Sequence, residues 1–311
     1  FCSAFAAVGT MKFAANWFPS KRFTLLTGLM VAVGMSGAIG GEKPLAIFIH
    51  TLGWRPSFDI LGIAGIMLAV TIFIIGKDSP NTITKASTTN TKKISVKIAL
   101  SKVLDDLKLI IKNKQVWLVS IYGGLVFMAT PVFCGLWGVP FLKVKYHLSS
   151  ETAATLASMV FVGWIIGSPT WGLISDKLGK RKPPMFIGAV IGLICLSSVL
   201  YLELENTILI GSLLFTFGLF SAGFLPAFSI IKEISCKKNC ATALSFMNMM
   251  NMIGIALAQP IIGILLDKFW LADHLSQNIT ISTAERIYTS THYIQAISIL
   301  PLGYIIAIAL L

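Results

Sequence analysis

Of 311 residues, 55% are hydrophobic and only 12% are charged, about half the charged share of a soluble globular domain, roughly 25%, so water is excluded as the main solvent of this chain. A net charge of +12 would suit a nucleic-acid partner only if the basic residues gathered on one surface with a recognisable reading element. In a membrane protein the same excess collects in the cytoplasmic connections.

Apolar stretches close to the roughly 20 residues that cross a bilayer recur along the chain. The first runs from Phe1 to Phe18, the second from Leu25 to Leu52 and the third from Phe58 to Ile75. Because the first begins inside an apolar run, without Met, the chain is expected to be a fragment, and no secretory signal peptide is visible. A polar stretch follows from Lys77 to Lys114. Its first part, Asn81 to Lys93, is rich in Thr, Asn and Lys and reads as a hydrated linker. Its second part, Ile94 to Ile111, alternates apolar residues with Lys97, Lys102, Asp105 and Lys108, as a helix lying on a membrane surface would. Six more apolar segments come next: Val116–Leu142, Ala153–Ile174, Met185–Leu202, Ile208–Ile231, Ala243–Leu266 and Ile294–Leu311. Nine candidate spans result, three before the linker and six after it.

Lys and Arg on alternating connections number eighteen on one face and five on the other, which predicts that the linker is cytoplasmic. The charge is thus dispersed among loops, and no nucleic-acid partner is implied. Cys236 and Cys240 have no His nearby, so no metal site is implied, and no phosphate-cradling G-x-x-x-x-G-K-[ST] loop occurs. His50, His147, His274 and His292 are scattered rather than clustered. The reading is not an enzyme, with no catalytic residue and no cofactor.

Between two of the spans the sequence runs Gly172-Leu173-Ile174-Ser175-Asp176-Lys177-Leu178-Gly179-Lys180-Arg181-Lys182. It resembles the loop signature of the major facilitator superfamily, G-x-L-x-D-x-x-G-R-R/K, with Ile174 and Lys180 as mild departures. The resemblance extends to Trp17-Phe18-Pro19, Gly53-Trp54-Arg55, Lys77-Asp78-Ser79-Pro80 and Trp137-Gly138-Val139-Pro140, which look like the ends of family helices. It implies an all-α polytopic membrane fold with nine of twelve helices present. Residues 1–76 would be family helices four to six, 77–114 the cytoplasmic linker and 115–311 family helices seven to twelve.

Gly172 would let two helices approach closely, and Gly179 would take the positive φ of a tight turn. Asp176, at the end of its own helix, lies unfavourably against that helix dipole and needs a positive partner. Arg181 and the N-terminus of the helix beginning near Ala241 are the expected partners. In the family such a cluster, here Gly172, Ser175, Asp176, Gly179, Lys180 and Arg181, forms when the cytoplasmic gate closes and breaks when it opens.

Ionisable groups inside a bilayer are costly and point to function. Lys12 favours an anionic substrate if it faces the central path, and otherwise snorkels to the surface. Glu42 is a candidate proton carrier. Lys43 either holds an anion or neutralises Glu42. Gly34, Gly37, Gly40 and Gly41, around them, are expected to admit close helix packing. Asn248, Asn251 and Gln259 lie near one face of their segment, where they either bind substrate or clasp another helix. Tyr122, Pro131, Trp137, Phe217, Gly223 and Pro226 are cavity candidates because the resemblance puts them on path-lining helices. Gly123-Gly124 and Pro226 are expected flex points. The expected function is secondary transport of a small polar solute by alternating access, with proton symport envisaged and an anion such as a sugar phosphate or organic acid favoured. A dipeptide or amino-acid carrier and a non-transporting membrane sensor of the same fold are the alternatives. The partners implied are the solute, protons and lipid, and the location is a bacterial cytoplasmic membrane.

Overall fold

The computed structural model describes residues 9–11, 13–14, 17–18, 22–75, 96–236, 239–276 and 286–311. Among these residues there is no strand, and eight helices are long and apolar enough to cross a membrane. The first candidate span, residues 1–18, lies largely outside the described residues, as does the hydrated stretch 81–93. Ahead of the linker stand α1 (Phe23–Leu52) and α2 (Trp54–Ile75), turned about Gly53 at φ 83°. The surface helix expected from Ile94 is α3 (Val96–Lys112), and α4 (Lys114–Val132) follows it after a single residue. Asn113 makes that break: its side chain accepts the Gln115 N–H at 3.0 Å and caps α4.

Pro131 lacks an N–H, so the α-helical ladder cannot continue through it unchanged. The chain takes up the fault in a π turn, Phe133–Trp137, and resumes as α5 (Gly138–Tyr146) within the same span. Then come α6 (Ser150–Leu178), α7 (Lys182–Tyr201) and α8 (Thr207–Ser221). The next span is also broken: a 3₁₀ turn, Ala222–Phe224, separates α8 from α9, which starts at Pro226 and ends at Ile234. The described part closes with α10 (Cys240–Ser276), α11 (Ser290–Ile297) and α12 (Ile299–Ala309).

Packing follows small residues. α6 runs along α1 on one side and α8 on the other, and α4 runs along α10. A Cβ at Gly163 or Gly167 would strike the α8 backbone at Phe215 or Leu219, and one at Gly218 would strike Val160 of α6, so that seam exists only because these positions are bare. Between them Trp164 is fully buried, donating its indole N–H to Thr130 Oγ1 at 2.9 Å and lying edge-on to Phe127 and Phe224. α2 packs against α1 and otherwise turns Ile66, Phe73 and Ile74 outward. On the Gly34, Gly37 and Gly40 face of α1, a Cβ at any of them meets nothing within 4 Å among the described residues.

Candidate functional site

The loop after α6 is built as its residue types require. Gly179 ends α6 at φ 63°, donating its N–H to Ser175 O at 3.1 Å, and the turn it permits swings Arg181 back over the last turn of the helix. Arg181 Nη1 then donates to Asp176 Oδ1 at 2.8 Å and to Ser175 Oγ at 3.0 Å. On its other edge, Nε and Nη2 reach Glu233 Oε1 of α9 at 3.1 and 2.9 Å. The side chains of Arg181 and Asp176 keep only 12% and 9% of their surface exposed, whereas Glu233 keeps 46%. Burial alone would lower the guanidinium pKa; the hydrogen bonds and charges of Asp176 and Glu233 outweigh it and raise the value. Lys180 is exposed.

Asp176 does find a helix N-terminus, but a different one from that expected. Its partner is the start of α1, not the helix that begins near Ala241. Asp176 Oδ2 accepts the Leu25 N–H at 3.1 Å and Oδ1 accepts the Thr24 hydroxyl at 2.7 Å. α1 has Arg22 at its N-cap with no side-chain cap and no acid in its first turn, so the carboxylate from α6 supplies both the missing acceptor and the charge the dipole favours. Since Thr24 Oγ1 donates to Asp176, its 2.6 Å contact with Ser229 Oγ of α9 makes Ser229 the donor there. Lys232, one turn along α9, rests its ammonium over the Phe23 ring at 4.1 Å. Thr24, Ser229, Lys232 and Glu233 are members of this cluster that the sequence reading missed.

The helices that carry the cluster touch backbone to backbone beside it. A Cβ at Gly172 would lie 2.8 Å from Leu25 Cα, and one at Gly28 would collide with the carbonyl of Ser168. Ten or eleven residues further along, about 16 Å at 1.5 Å per residue, the same face of α1 presents Ile39 opposite Ser158. There the seam is hollow. A cavity of about 450 Å³ is lined by Ile39, Cys134, Val139, Ala154, Thr155 and Ser158, with Glu151 the one charged residue lining it among the described residues.

The remaining candidates disperse. Lys12 lies outside the described residues, and so do the side chains of Glu42 and Lys43 on α1. Tyr122 is buried with its hydroxyl donated to Met185 O at 2.9 Å, so it ties α4 to α7. Asn251 is buried against Gly123 of α4, its Oδ1 without a hydrogen-bond partner among the described residues, while Asn248 and Gln259 are half-buried. None of the three lines the 450 Å³ cavity. Gly123 and Gly124, expected flex points, are also the places where α4 presses on Met247 and Met250 of α10.

The Major Facilitator Superfamily model matches residues 1–258 and 135–311. Among curated relatives, the human lysosomal dipeptide transporter MFSD1 is 24% identical over 272 residues, covering 84% of this chain and 56% of that protein. The membrane sensor protein UhpC of Salmonella typhimurium is 25% identical over 239 residues, 73% of this chain and 53% of its own length. A putative glycerol-3-phosphate transporter of Arabidopsis thaliana is 26% identical over 187 residues, 53% of this chain and 35% of its own. The chain spans about half the length of the curated relatives it matches first. With eight apolar spans among the described residues it is a multi-pass integral membrane protein. The chain belongs to the Major Facilitator Superfamily.

Proposed function

We propose that the whole protein is a secondary transporter that moves a small polar solute by alternating access, and that the Asp176–Arg181–Glu233 cluster is the lock of one gate. One observation carries the reading: the α1–α6 seam is backbone-tight at the end where the charges meet and hollow at the other. A seam of that kind has a second arrangement available, tight where it is now hollow, and the lock is the differential contact that selects between the two. On the count of Lys and Arg, the locked end is cytoplasmic and the hollow end faces outward. The reading divides the protein into bundles ending near residue 76 and beginning near 115, and places it in a bacterial cytoplasmic membrane with proton coupling through Glu42.

For the solute, Lys12 and Lys43 favour an anion such as a sugar phosphate or organic acid, and the glycerol-3-phosphate relative agrees in class. A dipeptide or amino acid is the second reading. Glu151 is the one charged residue lining the hollow among the described residues and would suit an ammonium group, in keeping with the relative named a dipeptide transporter. The sensor named among the relatives supplies a third: ligand binding without accumulation. The experiment is uptake into vesicles holding the whole protein, with radiolabelled sugar phosphates, organic acids and dipeptides, repeated with Lys43→Ala and Glu151→Gln. Anion uptake lost only in the lysine variant supports the first solute, and dipeptide uptake lost only in the glutamate variant the second. Ligand binding with no accumulation of any solute would overturn the transporter reading.

A further inference from the structure

α3 is amphipathic in a way that its packing within the chain does not exhaust. Its C-terminal end is fixed: Ile110 is buried, Asn113 N–H bonds Ile110 O at 3.0 Å, and the Trp117 indole donates to Ile111 O at 2.8 Å. Trp117 also meets Phe246 of α10 edge to face, with centroids 5.0 Å apart. Only Asn113 separates α3 from α4, whose Lys114 opens a membrane-crossing span. This end of α3 is therefore held at the level of the bilayer surface.

Beyond that anchored edge two exposed stripes stand side by side, with Val103 and Leu109 exposed to either side of them. At 100° per residue, Leu104 and Ile111 fall within about 20° of each other, and Lys108 and Lys112 follow on the side away from Ile110. All four are exposed. The segment from Val96 to Lys114 carries five lysines against two aspartates, of which Asp105 pairs with Lys108 at 3.7 Å. An apolar stripe beside a basic one, at bilayer level, matches both halves of a negatively charged lipid. A neutral lipid would use only the first stripe, and a soluble anion only the second.

We propose that α3 is a docking surface for anionic phospholipid, with Leu104 and Ile111 among the acyl chains and Lys108 and Lys112 at the phosphates. Through Trp117 and Asn113 it is joined to α4 and α10, so membrane charge acts on the ends of those two helices. Each lysine held at an anionic surface is worth roughly fivefold in binding. The test is hydrogen exchange of the α3 amides in the whole protein, in nanodiscs of phosphatidylcholine and in nanodiscs of phosphatidylcholine mixed with phosphatidylglycerol. Exchange is expected to slow about tenfold or more in the anionic discs. The double variant Lys108→Glu/Lys112→Glu removes that difference, while the α6 and α8 amides exchange alike throughout. If the double variant fails to reconstitute, Lys112→Gln alone should remove about fivefold. Equal α3 exchange in the two lipids, or a difference that survives the charge changes, overturns the proposal. So does equal slowing in phosphatidylcholine discs given inorganic phosphate, which would make the surface a site for soluble anions.

Discussion

The two ends of the α1–α6 seam both carry small residues and end in opposite conditions. Near the loop, Gly28 faces Ser168 and Gly172 faces Leu25 with no room for a Cβ; near Ile39, Ala154, Ala157 and Ser158 are nearly as small, yet a cavity of about 450 Å³ stands between the helices. Small residues therefore permit contact without enforcing it. What distinguishes the closed end is charge: Asp176 caps α1 from α6, and Arg181 joins that carboxylate to Glu233 of α9. Contact between the helices holds where a buried ion pair and a helix terminus complete one another, and lapses around Ile39, where the described residues of α6 offer no such pair.

The largest expected effect comes from removing the bridge. Arg181→Ala leaves Asp176 buried against hydroxyls and one helix end without its cation, a loss of about 3–5 kcal/mol for a broken buried pair. If the lock selects the state described, that loss moves the population toward the arrangement in which the far end is closed. Cys134, a half-buried free thiol in the hollow, is a native reporter. Its reaction with a membrane-impermeant organomercurial from the far side should fall about tenfold, since turning a population of roughly 9:1 into 1:9 takes about 2.6 kcal/mol. Unchanged labelling would mean that the charges only decorate a seam held by packing. Next in size is Gly28→Ala, whose new methyl must push against the Ser168 carbonyl. A loss of about 1–3 kcal/mol for overpacking is expected as a lowered Tm of the whole protein in detergent, with Ser158→Ala at the hollow end as the near-neutral control.

Much of this architecture was legible because bilayer thickness fixes the length of each apolar run. The helices found extend beyond the expected segments by a few residues at most ends, and α10 runs on to Ser276. The loop was legible too: Gly179 admits a left-handed turn without steric cost, and that turn brings Arg181 back to Asp176. Which helix end Asp176 would meet was not legible, since Phe23 and Ala241 both begin helices that follow basic connections, and only tertiary packing chooses. Thr24, Ser229 and Glu233 were missed because a hydroxyl or an acid near a helix end is ordinary until its partners are known. For Tyr122 the sequence shows a phenol on a path-lining helix but not that its hydroxyl donates to Met185 O and ties α4 to α7.

A smaller effect is expected within the cluster itself. Thr24→Val removes the hydroxyl that links Asp176 to Ser229 and should cost about 1 kcal/mol. In a double-mutant cycle with Ser229→Ala, the two losses should fall short of additivity, because the second change finds the bond already gone. Additive losses in Tm would mean that each hydroxyl serves a separate partner.

The smallest effect is expected at Lys180, and it tests the comparison most finely. Lys180 occupies a basic position of the loop signature, next to Arg181, but it is exposed and makes no hydrogen bond or ion pair to another described residue. If the locked end is held by geometry, by one guanidinium whose two edges meet two carboxylates, then Lys180→Ala removes a solvated charge and nothing else. The change in stability should stay within about 0.5 kcal/mol, and Cys134 labelling should match the unaltered protein. If Lys180→Ala instead lowers Cys134 labelling as Arg181→Ala is expected to, the loop acts through its summed positive charge, and the difference between the two ends of the seam is one of electrostatic field rather than of fitted contacts.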